Sequence, residues 1–122
     1  MEFLNNARAL EIFTIRKTAN FPKKYRFFIA TDIASIARGI YEHAKIGNSI
    51  YPVNRHEAQI RLDHFERARA EAYNLAAQLE IAQELFGVDM KDMERWSSMI
   101  SLEIKLLKAV ISTDRARYKE LP

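Results

Sequence analysis

The 122-residue sequence contains no cysteine. That excludes a disulfide framework, a thiol nucleophile and cysteine metal ligation, and it fits a reducing compartment. Glycine and proline are scarce, at three each, which leaves few places to turn and favours long helices. No uncharged apolar run approaches the roughly 18 residues that a spanning helix needs. Residues 1–10 mix Glu2, Asn5, Asn6 and Arg8 with apolar side chains, unlike a secretory signal. A cytoplasmic protein that does not engage a membrane is expected.

The signatures of catalysis are also missing. A carboxylate-bridged metal pair in a helix bundle needs Glu-x-x-His on two helices, and no Glu here has His three residues on. His56 and His64 lie eight residues apart, too far for a metal pair at one-turn spacing, and His43, His56 and His64 are read as solvated. Trp96-Ser97-Ser98 has no neighbouring base and no Gly-x-Ser-x-Gly turn. No glycine-rich phosphate loop occurs. The expectation is a non-enzyme with no metal site and no cofactor.

Hydrophobic residues make up 48% and charged residues 29% of the chain, enough to fill one core, so residues 1–122 are read as one domain. Breaks fall at Ala19-Asn20-Phe21-Pro22, at Gly47-Asn48-Ser49-Ile50-Tyr51-Pro52-Val53 and at Gly87-Val88-Asp89. Gly47 suits a left-handed C-terminal cap. Between the breaks the apolar period is helical. Ile29, Ile33, Ile36, Ile40 and Ala44 form one seam. Ala58, Leu62, Phe65, Ala72, Ala76, Leu79 and Phe86 form another, widened by Ala68, Leu75 and Ala82. Met93, Trp96, Ile100, Ile104, Leu107 and Ile111 form the last. Asn54 with Glu57 has capping-box spacing, and Asp89 with Asp92 marks a second helix start.

Helices are predicted at 3–18, 23–46, 54–86 and 89–118. The last two, joined by a three-residue turn, must form an antiparallel hairpin. Each leaves an apolar stripe that the first two helices must cover, giving an all-α, antiparallel up-down-up-down four-helix bundle. Trp96, Met90, Met93 and Met99 are expected to fill the end of the core. Helix one is short and apolar on more than one face, so Phe3, Leu10 and Phe13 are candidates for an oligomer interface.

The formal net charge is +3, and its distribution matters more than its size. No acidic residue lies between Glu11 and Asp32, a stretch holding Arg16, Lys17, Lys23, Lys24 and Arg26 interleaved with Phe21, Tyr25, Phe27 and Phe28. Basic residues among aromatics can grip phosphates and stack exposed bases. Two blander readings compete. Phe27 and Phe28 could be core, or Glu80, Glu84, Asp89, Asp92 and Glu94 near the last turn could neutralise the cations. A second basic group gathers toward the other end, with Arg8, Lys45, Arg55 and Arg61 beside Arg115, Arg117 and Lys119, diluted by Glu42, Glu57, Asp63 and Asp114. Lys105, Lys108, Arg115 and Arg117 could line an exposed stripe on helix four. Arg67 and Arg69 have Asp63, Glu66 and Glu71 at pairing distance along helix three.

The segment Phe21-Pro22-Lys23-Lys24-Tyr25-Arg26-Phe27, set after a short helix and before two long ones, resembles the four-helix bundle family of the accessory variability determinants. These proteins accompany the reverse transcriptases of diversity-generating retroelements. The same family includes the proteins encoded in intervening sequences of large-subunit ribosomal RNA. The resemblance implies a homo-oligomeric barrel, typically a pentamer, whose basic surface binds RNA or DNA and docks the reverse transcriptase. Lys23, Lys24 and Arg26 are the positions it carries over as basic contacts. Family members often carry a Gly-Gly-Trp-like run late in the last helix, whereas the single Trp here, Trp96, stands near that helix's start. The alternative is a structural or regulatory protein–protein assembly module that binds no nucleic acid.

Overall fold

The computed structural model describes residues 1–122. Helix α1 spans Glu2–Thr18. Helix α2 runs without a break through Lys23–Tyr25, a π-helical turn at Arg26–Ala30 and Thr31–Ser49. Helix α3 spans Arg55–Phe86 and α4 spans Met90–Arg117. At 32 residues, α3 is about 48 Å long.

Local chemistry sets the ends. The Asn54 side chain accepts from the Glu57 amide at 2.8 Å, and the Glu57 carboxylate accepts from the Val53 amide at 2.9 Å. Two otherwise orphaned donors are thereby satisfied at the start of α3. Asp89 accepts from the Asp92 amide at 3.1 Å and caps α4. The reversal between α3 and α4 turns on Gly87 at φ +75°, the only positive φ in the chain, a conformation that suits a residue without Cβ.

The predicted cap at Gly47 is corrected. Helix α2 continues past it to Ser49, and Gly47 carries no positive φ. Its role is close approach. A Cβ there would lie 2.7 Å from the Phe65 ring.

Cross-helix contacts fix the topology. On α1 and α4, Asn6 meets Glu103, Thr14 meets Trp96 and Lys17 meets Asp92, so the pair is antiparallel. On α2 and α3, His43 meets His64, and Gly47 lies against Phe65. Arg61 and Glu66 of α3 reach Asp114 and Arg115 of α4, and Glu11 of α1 reaches Arg38 of α2. Each helix packs on two neighbours in a closed up-down-up-down ring.

The interior is filled by Leu10, Ile33, Ile40, Phe65, Leu75, Leu79, Trp96 and Leu107. Fully buried Ala7, Ala37, Ala44, Ala68, Ala72 and Ala82 let the backbones approach one another. Trp96 has no exposed surface and donates to Thr14 Oγ1 at 2.9 Å. Met99 is buried and Met93 half-buried, while Met90 is exposed. Phe3 and Leu10, expected at an oligomer interface, are buried within the single chain. Phe3 packs edge-to-face on Phe65 at 5.5 Å. The short helix reaches the core of the hairpin, so these residues are not a free surface. Phe13 is half-buried against Trp96 at 5.1 Å, with Lys17 and Arg95 over its ring.

No helix is long and apolar enough to cross a membrane.

Candidate functional site

The start of α2 is built on an aromatic anchor. Phe21 is buried against Phe86 at 4.9 Å and Trp96 at 6.3 Å, and Tyr25 stacks on Phe86 at 5.0 Å. Pro22 stands just before the first helical turn, where its missing N–H costs nothing. Arg26 Nε donates to the Phe21 carbonyl at 2.9 Å, which ties the turn to the helix.

From that anchor the inward-facing residues run Tyr25, Ala30, Ile33, Ala37, Ile40, Ala44 and Gly47. The spacing is three or four throughout except for the five-residue step from Tyr25 to Ala30. The π-helical turn at Arg26–Ala30 accommodates that step, as single π turns do where a helix must absorb an extra residue. Phe27 and Phe28 lie within that turn and project outward, while Ile29 between them and Ala30 packs against the core. Phe27 is 78% and Phe28 70% exposed, and their rings meet edge-to-face at 5.2 Å.

The reading of these two rings as core is therefore wrong for this chain. They stand in solvent beside exposed Lys23, Lys24 and Arg26. Exposed Arg16 lies in the last turn of α1, the helix that ends against α2. Neutralisation by the turn between α3 and α4 is confined to one pair, Lys17 with Asp92 at 3.2 Å. Arg16, Lys23, Lys24 and Arg26 have no carboxylate partner.

The second predicted group lies elsewhere. Lys105 and Lys108 are exposed on α4, and Lys108 is 12 residues, about 18 Å, beyond the Trp96 level that the first group adjoins. Arg115 pairs with Glu66 at 3.1 Å, and Arg117 lies over the Tyr118 ring. Arg69 pairs with Glu66 at 2.7 Å, the local pairing expected along α3. The nine predicted basic residues thus fall into two separate groups rather than one surface.

Arg61, counted above with surface charge, is buried. It donates to Asp114 at 2.6 Å and to the Gly47 and Ile50 carbonyls at 3.2 and 3.0 Å, and it stacks on Phe65 at 4.9 Å. It closes the end of the bundle and offers no charge to a partner. Glu103 is fully buried as well, with Oε1 accepting from Asn6 Nδ2 at 3.0 Å and Oε2 without a partner. Burial pushes its pKa up to about 7, against the smaller opposing pull of the Asn6 hydrogen bond.

The histidines also depart from the solvated reading. Only His56 is exposed, whereas His43 and His64 are half-buried and face each other across α2 and α3 with their Nδ1 atoms 3.0 Å apart. Sequence spacing allowed the buried charges without selecting them over their apolar neighbours. Arg61, Glu103 and Asp114 occupy seam positions, three or four residues from Phe65, Ile100, Leu107 and Ile111.

No family model matches the chain. No curated protein matches it either.

Proposed function

We propose that this chain is a non-catalytic nucleic-acid-binding protein that engages single-stranded or unpaired nucleotides with the opening of α2. The observation that carries this reading is the solvent exposure of Phe27 and Phe28 amid unpaired Lys23, Lys24, Arg26 and Arg16. Two exposed apolar rings carry a hydration cost that a stacking partner would remove, and each base stacked on an aromatic contributes about 1–3 kcal/mol. The flanking cations neutralise phosphates and release counterions. The likeness of the Phe21–Phe27 segment to the accessory variability determinants extends the proposal to a homo-oligomer, a pentamer by that likeness, that assists a reverse transcriptase.

The test is binding of a fluorescent single-stranded RNA and its DNA counterpart across a salt series. Affinity is expected to fall steeply with salt. Phe27→Ala and Phe28→Ala should each weaken binding by about 1–3 kcal/mol with the salt slope unchanged. Lys23→Ala, Lys24→Ala and Arg26→Ala should each flatten the slope by about one. No binding at low salt overturns the proposal.

A second reading, a protein–protein assembly module that ignores nucleic acid, is favoured by another surface. An apolar groove of about 320 Å³ between α3 and α4 is lined by Tyr73, Ala76, Met93, Ile100 and Ile104. Light-scattering mass with and without RNA separates the two. Assembly with no uptake of RNA would favour the second.

A further inference from the structure

At the end of the bundle remote from Phe27 and Phe28, we infer that a cleft between the start of α3 and the end of α4 binds a small phosphate monoester. Arg115 lies 19 residues, about 28 Å, beyond Trp96 along α4. The cleft shares no residue with the basic–aromatic corner and rests on no part of the preceding proposal.

Charge is the first argument. The cleft encloses about 230 Å³, and Arg55, Arg115 and Lys119 line it with Asp114 as the sole carboxylate. Asp114 is neutralised from within, its Oδ2 accepting from Arg61 Nε at 2.6 Å and its Oδ1 from Arg61 Nη2 at 3.4 Å. Arg115 is only partly offset, because Glu66 serves Arg69 as well. Arg55 and Lys119 have no carboxylate partner. The start of α3 and the end of α4 bring opposite dipole ends to the cleft, so the side chains set its sign. Arg55 and Lys119 in full, with Arg115 in part, match the roughly −1.5 to −2 of a phosphate monoester at neutral pH better than a single carboxylate.

Preorganisation is the second. Arg55 Nε donates to the Leu121 carbonyl and the Arg55 backbone N–H to the Pro122 carbonyl, both at 2.9 Å. The chain after α4 thereby folds back on the start of α3 and holds the Arg55 stem, leaving both terminal guanidinium nitrogens for a ligand. Arg115 gives one terminal nitrogen to Glu66 at 3.1 Å and keeps the other together with Nε. Planar guanidinium forks suit phosphate oxygens, and such charge-assisted bonds are among the stronger ones.

Shape is the third. Half-buried Ala58, Leu62 and Tyr118 supply an apolar wall. Arg61 and Arg117 each lie 5.8 Å from the Tyr118 ring centroid and brace it. Gln59, the remaining lining residue, is tied to Asp63 at 2.8 Å. The volume falls below the roughly 300–1,000 Å³ of pockets that take drug-sized ligands, so the ester group is a small ring or short chain.

The test is calorimetric titration of the full chain with phenyl phosphate, inorganic phosphate and phenol, with amide NMR shifts locating the site. Phenyl phosphate should saturate with a Kd of about 1 mM or tighter, bind more tightly than inorganic phosphate, and move residues 55–62 and 114–119. Phenol should not bind. Arg115 and Lys119 are exposed, and Arg115→Gln and Lys119→Gln should each weaken binding about tenfold. Lys108→Gln, on the same helix outside the cleft, should leave it unchanged. A 5′-phosphorylated RNA offers the same group on a macromolecule, and its binding at the cleft without binding of phenyl phosphate would overturn the assignment to a small ligand. Shifts centred on residues 23–28, equal affinity for phenyl and inorganic phosphate, or no saturation at about 10 mM would each overturn the site.

Discussion

Glu103 is the residue at which burial and ionisation conflict most directly. Its carboxyl group is fully buried, and Oε2 has no hydrogen-bond partner. With a pKa of about 7 in the folded chain against 4.5 for a free glutamate, the sign of the pH effect follows. Below 4.5 both folded and unfolded chains hold the proton. Between 4.5 and about 7 the unfolded chain releases it while the folded chain keeps it, so stability falls as pH rises and levels off above 7. A difference of that size corresponds to roughly 3 kcal/mol. Glu103→Gln keeps the shape without the charge and should flatten the decline. Urea unfolding at mildly acidic and mildly alkaline pH, followed by Trp96 fluorescence, measures it. An equally steep pH dependence in the variant would show that another group is responsible.

At the scale of elements, two glycines of one helix face different neighbours. Gly39 and Gly47 both lie in α2, and both would gain helix propensity of about 1 kcal/mol on replacement by alanine. At Gly39 the nearest atom to the new methyl is the end of the flexible Glu71 side chain at 3.4 Å. Gly39→Ala is expected to be stabilising by up to about 1 kcal/mol. At Gly47 the methyl meets the Phe65 ring at 2.7 Å. That ring is fully buried between Phe3 and the Arg61 guanidinium and has no room to yield. Overpacking costs about 1–3 kcal/mol and outweighs the propensity gain. Gly47→Ala should lower the thermal midpoint while Gly39→Ala raises it, and the same sign at both would contradict the packing account.

For the whole molecule, the bundle's length decides which charges can act together. The Lys23–Arg26 corner adjoins Trp96, while Lys108 lies about 18 Å and Arg117 about 31 Å further along α4. Screening in physiological salt extends only about 8 Å, so the two ends are electrostatically independent. A short oligonucleotide held at Phe27 and Phe28 should therefore lose affinity with Lys23→Glu and Lys24→Glu but barely respond to Lys105→Glu and Lys108→Glu. A titration of all four variants with one short RNA checks this, and equal losses at both ends would require a site running the length of the bundle.

The number of helices, their antiparallel order and their limits, apart from the end of α2 at Ser49, were legible because they depend on local chemistry. Asn54, Asp89 and Gly87 act on atoms a few residues away, and three-and-four apolar spacing needs only one helix to express itself. The basic-aromatic run from Arg16 to Phe28 could be read for the same reason. Which of two adjacent seam positions turns inward could not be read locally. The step from Ile100 to Leu107 passes equally well through Glu103 or Ile104, and the approach to Phe65 through Arg61 or Leu62. In each case the neighbouring helix placed the charged residue inside, where Asn6 or Asp114 meets it. Tertiary packing likewise brought His43 to His64, 21 residues apart in sequence, and turned Phe27 and Phe28 outward at the π-helical turn. Those outcomes depend on where one helix lies against another, a quantity that no single helical period contains.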